Sequence, residues 1–235
     1  FRDDLLRKRL SNYKELDHER EQKTRRGINK ELKELRVIFN WAYKHDYLNV
    51  KVFDKISFLP VDLAKPVALT KTELKLLRRN LPKSAIRIIF YIGKNTGMRR
   101  SEILRMKRKD IDLENRIIHI EKTKNREASK KIIPPELHRI FKWIKITEGN
   151  PDELLFHYSK WWITDSFRKA MKKAGIKKRG AFHLLRHTYV TTILRETKNI
   201  YLAQKAAGHR NIATTKIYEH LTEEDIKDEI SAIKF

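Results

Sequence analysis

The stretch AFHLLRHTYVTT, residues 181–192, decides how the rest of the chain is read. It sets His183, Arg186 and His187 within five residues of what reads as a helix. Metal binding, phosphate binding and chance are the three explanations. The two histidines are four apart and share a helical face, as a metal site would need. The helical zinc-protease pattern also puts a Glu directly after the first His, and Leu184 stands there instead. No acidic residue lies between Ala181 and Arg195, and Arg186 opposes a bound cation. No metal is expected. Phosphate suits the set better: a guanidinium offers a planar fork of donors to two phosphate oxygens, and an imidazole beside it can move a proton near neutral pH. Alone, His-x-x-Arg is a weak signal, and its neighbours must carry the argument.

Three other stretches hold the same kinds of residue at element boundaries. TGMRRSEILRM (96–106) places Arg99 and Arg100 just after a helix-breaking glycine, with Glu102 following. GHRNIATTKIYEHL (208–221) places His209 just past a helix end and Tyr218 nine residues later. The polar loop KTKNREAS (122–129) carries Lys122, Lys124 and Arg126.

Composition points the same way. The 235 residues hold 54 Lys plus Arg against 30 Asp plus Glu, a net charge of +24. Small domains typically carry a net charge of magnitude about 2–8. Such an excess attracts polyanions, nucleic acid before anionic membrane. Hydrophobic residues make up 40%, enough for a sizeable core. With no cysteine, disulfides, thiolate metal sites and cysteine nucleophiles are excluded. No apolar run approaches the roughly 20 residues that span a bilayer, and nothing at the start resembles a signal peptide. A cytoplasmic, nucleoid-associated protein is expected. The chain opens on Phe1 rather than Met, so upstream residues are expected too.

The period of the apolar residues divides the chain. Residues 1 to about 52 read as helical, with Ile28, Leu32, Leu35, Phe39 and Ala42 on one face. The cluster KTRRG before them, with Thr24, Arg25 and Arg26, reads as a helix start where phosphate binds; a solvated charge run explains it equally well. Residues 53–68 lose the period and contain Pro60 and Pro66, with the linker itself placed at 59–68. Thr70 and Glu73 form a capping box opening a new helix. SAIRIIFYIGKNTG reads as a buried central helix stopped at Gly97. RIIHIE (116–121) and KKIIP (130–134) read as a hairpin with a basic tip. Two further helical faces follow, one at Leu137, Ile140, Phe141 and Ile144, one at Ile163, Phe167, Ala170, Met171 and Ala174. Asn199 and Gly208 then start and stop another helix. Ile226, Ile230 and Ile233 form a last stripe. The expected fold is mainly α with a small antiparallel β-sheet, in two lobes that clamp a duplex: a helical unit at 1–58, a linker at 59–68 and a larger domain at 69–235.

Taken together the motifs resemble the tyrosine site-specific recombinases, the phage-integrase family that includes the chromosome-dimer-resolution enzymes. TGMRRSEI resembles its first arginine box, HLLRHTYVT its His-x-x-Arg-His box, and AAGHRNIATTKIYEHL its Gly-His followed by the nucleophilic tyrosine. The match covers residues from about 67 to 222. The resemblance implies that the first unit is the later part of a core-binding domain and the second a catalytic domain. It implies DNA strand cleavage and rejoining through a 3′-phosphotyrosine and a Holliday junction, with no cofactor, ATP or metal. Tyr218 matches the nucleophile, His183 the base, Arg99 and Arg186 the phosphate clamp, and His209 a further donor. Lys124, ahead of Lys122, matches the general acid, on a hairpin about two residues longer than usual. Glu102 matches an orienting carboxylate, and His187 a supporting residue. Thr24, Arg25, Arg26, Arg100, Lys122 and Arg126 are candidate DNA contacts. The implied partners are double-stranded DNA, a homotetramer on two DNA sites, and accessory DNA-bending or activating proteins. The Ile226–Ile230–Ile233 stripe would dock in cis or on a neighbouring subunit. Two rivals remain open: a DNA-binding protein without catalysis, and a type IB topoisomerase-like enzyme.

Overall fold

The computed structural model describes residues 2–11, 18–62, 67–121, 128–208 and 215. The chain forms two compact units, Phe1–Ala64 and Lys65–Phe235.

In the first unit, helix α1 (Arg2–Leu10) and the long α2 (His18–Lys44) pack with a 3-10 turn at Val52–Lys55. Ile28, Leu32, Phe53 and Leu59 form its core, with Leu35 and Phe39 against them, as the four-and-three spacing predicts. Asn29 closes this unit like a peptide group. Its side-chain amide donates to the carbonyl of Leu59, and its side-chain oxygen accepts from the N–H of Leu59, both at 2.8 Å. Residues 53 to 62 thus carry part of this unit's core and hydrogen bonding. Helical reading to about residue 52 runs too far, since α2 ends at Lys44 and Asp46 turns left-handed at φ 59°.

KTRRG is not a helix start. Helix α2 begins at His18, so Thr24–Arg26 lie past its first turn and their N–H groups are already taken by the helical ladder. The residues from His18 on are mostly good helix formers, so nothing local halts the helix earlier. Their side chains also serve the unit itself: Thr24 Oγ1 donates to the carbonyl of Arg20, Arg25 to Glu21 at 2.6 Å and to the carbonyl of Pro60, and Arg26 to the carbonyl of Asp62.

The second unit opens with α3 (Lys71–Asn80), capped reciprocally by Thr70 and Glu73. Helix α4 (Ala85–Thr96) runs through the core, burying Ile86, Ile89, Phe90, Ile92 and Thr96. Gly97 ends it at φ +61°, a conformation that favours glycine. The short α5 (Arg100–Ile103) leads into a three-stranded antiparallel sheet of order β1 (Ile111–Asp112), β2 (Ile117–Ile120), β3 (Ser129–Ile132). The expected hairpin is present, and β1 is an edge strand too short for its period to be read. Helices α6 (Pro135–Trp143), α7 (Lys160–Lys173) and α8 (His183–Thr197) follow. Leu137, Phe141, Ile163 and Phe167 join α3 and α4 in one core, which reaches the start of α8 through Phe182, Leu184 and Leu185. Helix α9 (Ile200–Ala207) packs on α8 through Val190, Leu194, Ala203 and Ala207. Asn199 caps it by accepting from the N–H of Leu202, and Gly208 stops it at φ +70°. The Ile226–Ile230–Ile233 stripe lies outside the described residues.

Close approach of α4 and α8 positions the site. A Cβ on Gly93 would lie 2.8 Å from the Phe182 ring and 3.0 Å from Leu185. Only a glycine lets the two helices come this near; α4 leads into the turn that presents Arg99, and α8 carries His183 and Arg186.

Candidate active site

Arg99 sits at the entry of α5, two residues after the left-handed turn at Gly97. Glu102, 8% exposed, reaches back to it. One carboxylate oxygen accepts the Arg99 N–H at 2.7 Å, and the other accepts from the guanidinium at 3.0 Å. Burial pushes Glu102 up, but the Arg99 N–H, the Arg99 guanidinium and then Arg186 outweigh it and hold it below the usual carboxylate range. It therefore stays ionised and fixes the direction of Arg99.

Arg186, 4% exposed, lies one turn into α8 and donates to the carbonyl of Gly97 at 2.7 Å. The residue that ends α4 thus also holds the second guanidinium. His183 opens α8, and its ring meets that of His187 edge-on at 5.1 Å between centroids. Burial, then Arg186, Arg99 and Arg100, push His183 down from its ordinary value. Burial, then His183 and Arg186, push His187 down to about 4. Both imidazoles are neutral near pH 7, and a neutral His183 can accept a proton.

A residue that sequence reasoning passed over completes the cluster. Lys131 on β3 is 6% exposed, and its ammonium donates to the carbonyl of Ala206 at the end of α9. Burial, then Arg186, hold it down to about 8; Glu102 acts the other way and Arg99 adds to the lowering. The signal was in the strand register: Lys131 stands opposite the fully buried Ile118 and must share its face.

Arg99, Arg186, Lys131 and His183 thus converge from α5, α8 and β3, with the Glu102 carboxylate among them. Guanidinium and ammonium donors grouped in this way suit phosphate oxygens. The cluster opens on a cleft of about 410 Å³ lined by Arg99, Arg100, Lys160, Thr164 and His183. Arg100 itself donates to Thr164 Oγ1. A second hollow of about 710 Å³ shares Thr164 and Gly180 with the first and is edged by Arg168, Lys172, Lys177, Lys178 and Arg179. These basic residues were not singled out in the sequence, where each looks like ordinary surface charge. Lys122, Lys124, Arg126, His209 and Tyr218 lie outside the described residues. Among the described residues no three His, Asp or Glu side chains gather as metal ligands, and no helix is long and apolar enough to cross a membrane.

A family model described as "Phage integrase family" matches residues 68–225, a span that takes in the whole cluster. The chain belongs to the phage integrase family. Among curated members, it is similar to tyrosine recombinase XerA of Saccharolobus solfataricus, 34% identical over 157 residues, covering 66% of this chain and 51% of that one. It is also similar to tyrosine recombinase XerH of Campylobacter jejuni, 32% identical over 154 residues, covering 62% of this chain and 42% of that one. The chain spans about half the length of the curated relatives it matches. Among solved structures, the crystal structure of XerA recombinase superposes with a TM-score of 0.61 at 26% identity, over 82% of this chain and 72% of that one. The Tn1549 transposon integrase in complex with transposon right end DNA shares the fold over 99% of this chain and 85% of its own, with a TM-score of 0.66 at 21% identity. The integrase-family catalytic fold is therefore established, mostly helical with one small antiparallel sheet.

Proposed function

We propose that this protein is a site-specific DNA recombinase that cuts and rejoins strands through a tyrosine ester. The observation that carries the reading is the buried cationic cluster of Arg99, Lys131 and Arg186 beside a neutral His183, at the mouth of a basic cleft. Family membership and the net charge of +24 support it.

The chemistry follows from these groups. A tyrosine with a pKa near 10 is protonated at neutral pH, so His183 takes the hydroxyl proton of Tyr218 as its oxygen attacks phosphorus. The new O–P bond forms as the bond to the 5′-oxygen breaks, and Lys124 gives that oxygen its proton. Charge building on the non-bridging oxygens is met by Arg99 and Arg186, with His209 as a further donor. Loss of either arginine is expected to cost about 2.7–4 kcal/mol of barrier, a factor of about 10²–10³. The ester keeps the bond energy, so rejoining is the reverse attack by a 5′-hydroxyl and requires neither ATP nor metal. Recombination pairs two such exchanges through a Holliday junction, on a tetramer holding two sites, with the first unit gripping the duplex as a core-binding domain. Arg100 and the basic hollow beyond Thr164 track the DNA backbone, together with Lys122 and Arg126; Thr24, Arg25 and Arg26 serve the first unit's fold as well.

The test is a covalent-adduct assay in excess chelator, on DNA flanking the protein's own gene, with Tyr218→Phe alongside. An adduct lost in the variant supports the reading. Salt-sensitive binding with no adduct on a proven site would establish a binding protein without catalysis, and relaxation of supercoils without exchange a topoisomerase-like enzyme.

A further inference from the structure

Arg100 is held differently from Arg99. The guanidinium of Arg99 meets the Glu102 carboxylate, whereas that of Arg100 donates to a neutral hydroxyl, Thr164 Oγ1 on α7. This contact leaves the charge of Arg100 uncancelled. The hydroxyl has one proton, and that proton goes to the carbonyl of Lys160 at 2.9 Å. Toward the guanidinium its oxygen therefore acts as acceptor, and the run of hydrogen bonds from Arg100 through Thr164 to Lys160 has one direction. The support is firm: Ser159 caps α7 by accepting from the N–H of Trp162, and Ile163, beside Thr164, is fully buried. Nε of Arg100 is buried and meets no hydrogen-bond partner among the described residues, a cost that packing alone gives no reason to bear. Arg100, Lys160 and Thr164 line the same cleft as Arg99 and His183, and Arg100 is one of the cations that push His183 down. Phosphates of one strand follow each other at about 3.4 Å along the duplex axis, so a strand clamped at Arg99 carries its next phosphate past this wall.

We propose that Arg100 and Lys160 form a second phosphate seat, for the phosphate next to the one clamped by Arg99 and Arg186 on the cut strand, and that Thr164 is its positioning residue. The inference rests on the recombinase reading above and deepens it. Arg100 touches the backbone rather than the reacting atoms, and Thr164 acts through Arg100. A hydroxyl suits the task because it aims the guanidinium without neutralising it, as a carboxylate would. Backbone contacts of this kind set the register of a protein on its duplex, so the seat fixes which phosphodiester reaches the clamp.

The experiment is a cycle between side chain and phosphate. DNA binding is measured on the site mapped by the wild-type adduct or, failing an adduct, by footprinting. A set of duplexes each carries one uncharged methylphosphonate, on either side of the cut. The proteins are wild type, Arg100→Gln, Thr164→Val and Thr164→Ser. Wild type should lose about 10–100-fold in affinity when one adjacent phosphate is neutral, as loss of a charged hydrogen bond does. Arg100→Gln should show that loss on ordinary DNA, with a salt slope lower by about 0.9, and lose nothing more on the neutral duplex. Thr164→Val should show a smaller loss of the same pattern, and Thr164→Ser, which keeps the hydroxyl, should behave as wild type. Where Arg100→Gln gives no folded protein, Arg100→Lys, which keeps the charge without the fork, takes its place with a partial loss. Losses that multiply at every adjacent position, wild-type affinity and slope in the Arg100 variant, or a Thr164→Val protein indistinguishable from wild type would each overturn the inference. Absence of any adduct from the wild-type protein on a proven site overturns the recombinase reading itself, a distinct result.

Discussion

Replacing Gly97 by alanine is the most direct perturbation of this arrangement, because one glycine ends α4 and holds Arg186. Two costs can be worked from the structure. The residue sits at φ +61°, where a side chain costs about 1–2 kcal/mol. Its Cβ would also lie 2.4 Å from Cδ1 of Tyr189, far inside contact distance. Overpacking of this kind costs typically about 1–3 kcal/mol. Gly97→Ala should therefore destabilise the second unit by about 2–5 kcal/mol. Urea unfolding followed by circular dichroism reads this as a lower midpoint at unchanged slope. Tyr189→Leu combined with Gly97→Ala separates the two costs, since it opens space for the methyl and leaves the backbone strained. Any shift of the turn moves the carbonyl that Arg186 meets at 2.7 Å, so adduct formation should fall further than stability alone explains. A Gly97→Ala protein within about 0.5 kcal/mol of wild type, the range of ordinary surface substitutions, would refute the reasoning.

Three other perturbations have defined outcomes. Glu102→Gln keeps one acceptor for the Arg99 N–H but leaves the guanidinium without its counter-charge; breaking a buried pair costs about 3–5 kcal/mol, and calorimetry should show a lower Tm at pH 7 that converges on wild type as acid protonates Glu102. Because His183 and His187 are pushed down in the folded state, the unfolded chain binds protons first, so stability should fall as pH drops below about 6.5. For His187 that loss extends to about pH 4, and His187→Phe should flatten the Tm-against-pH curve over this window. Asn199→Ala removes the cap that accepts from Leu202 and should cost about 0.5–2 kcal/mol, read by urea unfolding.

Much of the architecture was legible because its signals are local. Thr70 with Glu73, Asn199, Gly97 and Gly208 each act within a few residues, and each starts or stops its helix as expected. The arginine, histidine and glutamate of the cluster were legible as types on fixed motifs, and the structure brings Arg99, Glu102, His183 and Arg186 together. The start of α2 was not legible, since the helix-forming run from His18 gives no local reason for the helix to wait until KTRRG. Lys131 was missed for a different reason. A charged residue in a strand is read as solvent-facing, and only pairing with Ile118 and a carbonyl far along the chain reverse that.

The same strand has a bearing on the order of folding. β3 buries Ile133 and Lys131 while Ile132 is 78% exposed. A slip of one residue puts Ile132 in place of Ile133 and Lys130 in place of Lys131 on the inner face, so apolar burial is nearly unchanged while the wrong ammonium turns inward. Hydrophobic collapse therefore does not select the native pairing. Selection waits for Glu102 and the end of α9, partners that arrive only when distant segments have assembled. The native register of the hairpin therefore depends on late contacts, and amide protection at Ile117 and Ile118 should trail that of α4 during refolding.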